Sequence, residues 1–216
     1  MLVIIQARTS SKRFKDKVLF NIYGKPLILH VIEKIKKSNK IDIIVSTSKK
    51  KEDDTLVKLL LKNKIKFFRG SLNNVAKRLY ETAISKDQKF FLRVSADSPL
   101  IDFQIINKII NIHKKNKSYD LITNIFPKTF PSGQSVEIIK TKILGKNLKF
   151  FSRLDKEHVT RYFYENPSKF KIRNFLNKKS SNLRKLSIDT PSDLKIMLKL
   201  YNKKKFLNFK YLNEKN

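Results

Sequence analysis

The sequence predicts an α/β protein with a mainly parallel, mixed sheet that is flanked by helices. Short runs of β-branched and aromatic residues, typical of buried strands, recur through the N-terminal half. These runs are residues 2–6, 41–47, 64–68 and 90–95. The segments between them carry apolar residues at a spacing of three to four, which predicts amphipathic helices. These segments are residues 26–37, 53–62 and 74–85. Strands that alternate with such helices indicate right-handed βαβ units and parallel pairing.

The second half of the sequence is less regular. A helix at residues 102–115 begins with Asp102, which we expect to cap it. We predict further strands at residues 119–124, 136–139, 169–175 and 184–188, and further helices at residues 141–149, 155–166 and 191–201. The segment 126–133 is rich in Pro, Thr, Ser and Gly and breaks the pattern. We therefore expect a single domain over residues 1–201, with a lid or subdomain inserted around 126–175, followed by a basic tail at 202–216.

Length and cysteine content restrict the class of protein. A chain of 216 residues is long enough for one α/β domain with a full core. The absence of cysteine excludes disulfides and thiolate metal sites. No apolar run approaches the roughly 20 residues that a membrane helix needs. We therefore expect a soluble, cytoplasmic protein with no membrane partner.

The chain is strongly basic, with 49 Lys and Arg against 18 Asp and Glu and a formal charge of +31. Such a charge is compatible with a polyanionic partner, so a basic nucleic-acid-binding protein is one alternative. The lysines are nevertheless scattered over every predicted element, which favours a solvated basic surface. We do not expect nucleic acid to be the partner.

The turn after the first strand, residues 7–17, is the first candidate site. In a parallel sheet ligands bind at the carboxyl ends of the strands, where this turn lies. Its small hydroxyl residues leave backbone N–H groups open to an anion, and Arg8, Arg13 and Lys17 could neutralise a triphosphate. The turn contains no glycine and no GxxxxGK[ST] string, so it is not a Walker A loop. An exposed basic loop without function is the alternative.

Two aspartates form the second candidate site. Asp97 follows the strand at 90–95, and Asp189 follows the predicted strand at 184–188. Mg²⁺ commonly takes one or two carboxylates together with phosphate oxygens. Two strand-end carboxylates around one metal would suit phosphoryl or nucleotidyl transfer. Helix capping is the alternative for each residue, and we favour it for Asp102.

The stretch IIQARTSSKRFKDKVLFNIYGKPLILHVIEKIKK resembles the opening of the sugar-acid cytidylyltransferases, the CMP-Kdo and CMP-sialate synthetases. It is most similar to their spore-coat-polysaccharide relatives. The resemblance continues in the family's order through FRGSLNNVAKRLYETA, RVSADSPLID, NIFPKTFPSGQSVEII, KEHVTRYFYENPSKFKI and LRKLSIDTPSDLKIM. It implies a nucleotide-diphosphosugar-transferase (Rossmann-like) fold, with CTP as co-substrate and Mg²⁺ as cofactor.

The resemblance also implies roles for individual positions. The nucleotide-binding set that it implies is Ala7, Arg8, Ser10, Ser11, Arg13, Lys17, Arg78 and Arg93. The catalytic set that it implies is Arg13, Lys17, Asp97 and Asp189, with the two aspartates as metal ligands. Two positions depart from the family pattern. Ser10 replaces a glycine of close relatives, and Ser135 replaces a common aspartate.

The predicted reaction is attack by the anomeric hydroxyl of a sugar acid on the α-phosphorus of CTP, which releases pyrophosphate. The acceptor would be of the acylneuraminate (nonulosonate) or Kdo type and would serve surface polysaccharide biosynthesis. Because the nucleotide occupies the N-terminal sheet edge, we predict substrate contacts in later segments. The predicted contacts are Gln134, Glu137, Arg153, His158 and Arg161. A structural role is the alternative for His158.

Two alternatives within the same fold remain open. A glycosyltransferase usually holds its metal with a DxD pair, whereas Asp97 is followed by Ser98 and Pro99. Nucleotidylyltransferases that act on isoprenoid or molybdopterin precursors match the family segments less well. The sequence also leaves a homodimer open.

Overall fold

A seven-stranded mixed sheet organises the chain in the computed structural model, which describes residues 1–177 and 184–212. The described strands are β1 (Leu2–Gln6), β2 (Asn21–Ile22), β3 (Lys25–Pro26), β4 (Asp42–Ser48), β5 (Phe67–Gly70), β6 (Phe90–Ser95), β7 (Leu121–Thr123), β8 (Glu137–Lys140) and β9 (Ile172–Asn174). The order in the main sheet is β5-β4-β1-β6-β8-β7-β9. Strand β8 pairs antiparallel with β6 and β7, and the other described pairings of this sheet are parallel. The predicted fold class is confirmed.

Helices cover both faces of this sheet. The described α-helices are α1 (Leu27–Lys36), α2 (Asp54–Lys62), α3 (Val75–Ile84), α4 (Phe103–Lys115), α5 (Thr141–Asn147), α6 (Arg153–Glu157), α7 (Arg161–Glu165), α8 (Pro191–Leu200) and α9 (Lys203–Leu207). In β1, Val3 and Ile5 join a core with α1, α4 and α8, whereas Leu2 and Ile4 join a second core with α3 and α7. Burial on both faces explains the uninterrupted apolar run of this strand. Within residues 1–177 and 184–212, no helix is long and apolar enough to cross a membrane.

Several predictions for the second half are wrong in detail. The strands expected for a lid, at 136–139 and 169–175, correspond to β8 and β9 and pair within the main sheet. The helix expected at 155–166 is interrupted between α6 and α7. The segment 184–188 is not a strand, because its backbone bonds reach separate segments. Leu186 N donates to Ser132 O at 2.8 Å, and Ile188 N donates to Asp97 O at 2.9 Å.

The expected basic tail is part of the packed fold as far as residue 212. Phe206 of α9 is fully buried in the core shared with α1 and α4. Lys34 Nζ donates to the carbonyl oxygens of Leu207 and Phe209, at 2.8 and 3.0 Å. The backbone N–H of Leu212 donates to Asp102 Oδ2 at 2.9 Å. Residues 213–216 lie outside the described part of the chain.

Candidate active site

A buried carboxylate anchors the turn that follows β1. Thr9 donates to Asp53 Oδ1 through its backbone N–H at 2.7 Å and through its hydroxyl at 2.9 Å. Ser48, at the end of β4, donates its backbone N–H to Asp53 Oδ2 at 3.0 Å. Burial opposes ionisation of Asp53, but the hydrogen bonds from Ser48 and Thr9 lower its pKa. Sequence reasoning treated Asp53 only as a helix start. The sequence feature that could have indicated this role is the position of Asp53 just after the hydroxyl-rich end of β4.

The four predicted catalytic residues meet at the carboxyl end of the sheet. Lys17 Nζ lies 3.0 Å from Asp97 Oδ2 and 3.5 Å from Asp189 Oδ1. It also donates to the carbonyl oxygen of Ile188 at 2.9 Å. Arg13 Nη2 lies 3.0 Å from Asp189 Oδ1. Asp97 and Asp189 therefore share the ammonium of Lys17, and Asp189 also binds the exposed guanidinium of Arg13.

A close contact between two segments brings Asp189 to Asp97. Gly133 has a φ of +95°, and a Cβ at this position would lie 2.5 Å from the carbonyl carbon of Leu186. Only glycine permits this approach without displacing the backbone. The bond from Ile188 N to Asp97 O then fixes Asp189 beside Asp97. The glycine in the pattern-breaking segment 126–133 is therefore structurally required.

Helix α8 holds the backbone that carries Asp189. Thr190 and Asp193 form a capping box at the start of α8, and Asp193 Oδ2 also accepts from Asp189 N at 2.9 Å. Burial opposes ionisation of Asp189, but the hydrogen bond from Lys185 and the charges of Lys17 and Arg13 lower its pKa. Asp189 is thus a carboxylate at neutral pH. The capping role proposed as its alternative belongs to Asp193 and Thr190.

A cavity of about 300 Å³ opens at this edge of the sheet. Every predicted nucleotide-binding residue except Ser10 lines it, together with Asp97, Asp189 and His158. Arg78, on α3, is almost fully buried, and its Nη1 donates to Ser71 O at 2.5 Å. Burial lowers the pKa of Arg78 to about 10, so it remains charged at neutral pH. The cavity is therefore rich in fixed positive charge.

A second, wider cavity of about 780 Å³ adjoins the first. Ser10, Lys12 and Arg153 line it, and Arg8, Ser11, Arg13, Val75 and Glu157 line both cavities. Arg8 Nη2 donates to Glu157 Oε1 at 2.7 Å, and this hydrogen bond lowers the pKa of Glu157. Sequence reasoning did not identify Glu157. The pair of Arg8 and Glu157 therefore lies where the two cavities meet.

Three of the predicted substrate contacts line neither cavity. Gln134 is buried, and its side chain bonds the backbone at Asp102 and Leu100. Arg161 pairs with Asp155 at 3.0 Å and with Glu165 at 2.5 Å. Glu137 is buried and bonds Arg93 and Tyr164. Of the predicted set, only His158 and Arg153 reach a cavity, the first and the second respectively.

A family model described as cytidylyltransferase matches residues 2–215. The chain belongs to the cytidylyltransferase family. The predicted resemblance and the predicted enzyme class, a CTP-dependent nucleotidyltransferase, are confirmed. This match favours nucleotidyl transfer over glycosyl transfer.

Individual relatives agree with this assignment. The chain is 36% identical over 203 residues to an uncharacterised protein of Methanocaldococcus jannaschii. The match covers 91% of this chain and 81% of that protein. It is 26% identical to the spore coat polysaccharide biosynthesis protein SpsF of Bacillus subtilis, over 94% of this chain and 87% of that protein. It is 35% identical to the 3-deoxy-manno-octulosonate cytidylyltransferase of Wigglesworthia glossinidia brevipalpis, over 57% of this chain and 50% of that protein.

A solved structure of a cytidylyltransferase from Leptospira borgpetersenii superposes on this fold with a TM-score of 0.86. The two chains are 26% identical, and the match covers 98% of this cytidylyltransferase and 90% of the other. The arrangement of the sheet and its helices is thus shared over nearly the whole chain.

Proposed function

We propose that this cytidylyltransferase transfers CMP from CTP to the anomeric hydroxyl of a sugar acid, of the acylneuraminate (nonulosonate) or Kdo type, for surface polysaccharide biosynthesis. The observation that carries the proposal is the position of Lys17 between Asp97 and Asp189, at the end of an arginine-lined cavity. The similarity to SpsF and to a 3-deoxy-manno-octulosonate cytidylyltransferase supports the choice of acceptor.

The basic turn would bind the triphosphate. Arg8, Arg13 and Lys17 now pair with carboxylates at 2.7 to 3.0 Å, and phosphate oxygens would compete for the same donors. If Lys17 bound phosphate oxygens instead, Asp97 and Asp189 would lose their contact with it. Fixed donors at the triphosphate would stabilise charge that develops on the leaving pyrophosphate, and positioning of the acceptor would supply further acceleration.

Asp97 and Asp189 fit a Mg²⁺ site as a pair. Both carboxylates already contact one cation, the ammonium of Lys17. Within the described residues, no group of three or more His, Asp or Glu could hold a metal. The pair would therefore supply two ligands, and phosphate oxygens and water the others, as is usual for Mg²⁺. When bound, the ion would neutralise charge on the triphosphate.

Replacing Arg13 with Ala should raise the dissociation constant of CTP about ten- to a hundredfold. The loss of a charge-assisted phosphate contact costs roughly 1.5–3 kcal/mol. The side chain is 68% exposed, so its pair with Asp189 adds little to folding stability. Isothermal titration of CTP measures the change. Lys66, 63% exposed and paired with Asp42, is the matched control, and K66A should bind CTP normally. Unchanged CTP affinity in R13A would contradict the triphosphate assignment.

A further inference from the structure

A row of polar side chains crosses an otherwise apolar face of the sheet. Arg93 on β6 lies opposite Glu137 on β8, which lies opposite Thr123 on β7. Two residues away along these strands, the same face carries buried apolar residues: Phe91, Ile139 and Leu121. Even a paired and hydrogen-bonded buried charge is often no more stabilising than apolar residues of similar volume. The pair of Arg93 and Glu137 therefore needs an explanation beyond the packing of the core.

Hydrogen bonds from two side chains hold Glu137 in place. Tyr164 donates its hydroxyl to Glu137 Oε1 at 2.6 Å, and the hydroxyl of Thr123 lies 2.9 Å from that of Tyr164. Burial and the neighbouring Glu137 raise the pKa of Tyr164, so its proton stays in place. The other oxygen of Glu137 accepts from Arg93 Nη1. Each oxygen of Glu137 thus accepts a hydrogen bond from a protein donor, and Glu137 lines neither cavity, so the structure gives no support to the sugar contact predicted for it.

Arg93 and the neighbouring Gln6 present N–H donors to the cavity. Both residues line it, whereas Glu137, Thr123 and Tyr164 do not. Arg93 Nε donates to Gln6 Oε1 at 2.8 Å, which leaves the NH₂ end of the Gln6 amide for a ligand. Arg93 uses Nε and Nη1 within the row and keeps Nη2 as a further donor. A group with only acceptor atoms complements such a wall.

The row and Arg78 lie on different parts of the sheet. Helix α3, which carries Arg78, packs over β1, β4 and β5. Arg93 lies on β6, on the other side of β1 and next to β8. Asp97 follows Arg93 at the end of the same strand. Arg78 and Arg93 therefore reach the cavity from different elements, α3 and β6, and Arg93 shares its strand with the segment that leads to Asp97.

We propose that Arg93, positioned by Glu137 and Gln6, binds the carboxylate of the acceptor, rather than the nucleotide as the family resemblance implies, and selects sugar acids over neutral sugars. This inference rests on the proposed function and names the residue that recognises the acid. A guanidinium matches the planar geometry and the charge of a carboxylate. Glu137 and Tyr164 are positioning residues, because they act through Arg93.

The test compares each sugar acid with its C1 amide as acceptor, using 3-deoxy-manno-octulosonate and N-acetylneuraminate. The main variant is R93Q/E137Q, which removes both buried charges together and so avoids an unpaired Glu137. We expect KM for the acid to rise about ten- to a hundredfold. KM for the amide should rise much less, so the preference for the acid falls. KM for CTP tests the nucleotide contact that the family resemblance implies for Arg93, and it should rise less than KM for the acid.

The single variant Glu137→Gln separates positioning from binding. It keeps the charge of Arg93 but weakens its support, so the acid preference should fall by less than in R93Q/E137Q. Lys140→Gln, which breaks a pair with Asp120 at the other end of β8, should keep the wild-type preference. Unchanged acid preference in R93Q/E137Q, or a change confined to KM for CTP, would overturn the proposal. An absence of CTP-dependent pyrophosphate release in the wild-type protein would instead refute the proposed function.

Discussion

Asp97→Asn and Asp189→Asn should each lower kcat/KM for CTP by about a hundred- to a thousandfold while the protein remains folded. Removal of one group that stabilises transition-state charge typically costs a factor of this size. Each amide keeps the shape of the carboxylate but loses its charge, so Mg²⁺ is bound weakly. Pyrophosphate release measures turnover, and thermal unfolding verifies the fold.

The structure also gives both aspartates contacts with Lys17, and a metal titration distinguishes the two roles. If the carboxylates bind Mg²⁺, the metal concentration for half-maximal activity should rise in both variants. If they only hold Lys17, activity should fall with no change in that concentration. Asp102→Asn is the matched control, because this residue caps α4 and binds Leu212 N outside the cavity. It should lose stability and keep turnover. Full activity in Asp97→Asn would contradict the assignment of Asp97 to the active site.

Phe206→Ala should destabilise the protein by about 3–5 kcal/mol, the usual cost of removing a fully buried phenylalanine side chain. The ring packs edge-on against His30 and Tyr23, with centroids 5.1 and 5.6 Å away. Its loss leaves a cavity between α9 and α1. For a chain of this length the change corresponds to a fall in Tm of roughly 6–20 °C. Unfolding in urea, followed by circular dichroism, measures the change in the free energy of unfolding.

The adjacent Leu207 provides the control for this experiment, because its side chain is 37% exposed. Leu207→Ala should cost much less than Phe206→Ala. Equal and small effects of the two substitutions would show that residues 202–212 are not part of the folding unit. Equal and large effects would mean that α9 is needed as a whole rather than through its buried ring.

Sequence patterns predicted the first half of the fold well because both faces of its parallel strands are buried. The runs at β1, β4 and β6 therefore carry mostly apolar residues on both faces, and helices of regular period separate them. In the second half, pairing depends on contacts that local patterns do not encode. Strand β8 enters the sheet antiparallel between β6 and β7, and no local feature of its four residues specifies those neighbours.

The tail illustrates a second limit of sequence reasoning. From sequence we predicted only a basic tail after the last helix, but Phe206, Phe209 and Tyr211 are all buried. Lysines on the outer side of α9 coexist with this packing, because a short helix needs few apolar residues to attach. Phe206 packs against Tyr23 and His30, and Tyr211 against Phe130, which lie far away in sequence, so composition alone could not reveal these contacts.

The candidate site was predictable where function requires a charged residue at the end of a strand. Arg13, Lys17 and Asp97 were identified in this way and meet in the structure. Asp189 joins them, although the strand that was predicted before it is not formed. Residues that act through others were missed or misassigned. Asp53 is read locally as the start of a helix although it holds the turn after β1. Glu137 fits a sugar contact by sequence, yet its oxygens are occupied by Arg93 and Tyr164.

The most direct test of the central claim is pyrophosphate release with each of the four nucleoside triphosphates. The assay contains Mg²⁺ and either 3-deoxy-manno-octulosonate or N-acetylneuraminate, with a sugar-free reaction as background. We expect release that requires a sugar acid and is strongly selective for CTP over UTP, ATP and GTP. Equal release with another nucleotide, or no sugar-dependent release with CTP, would contradict the assignment as a sugar-acid cytidylyltransferase.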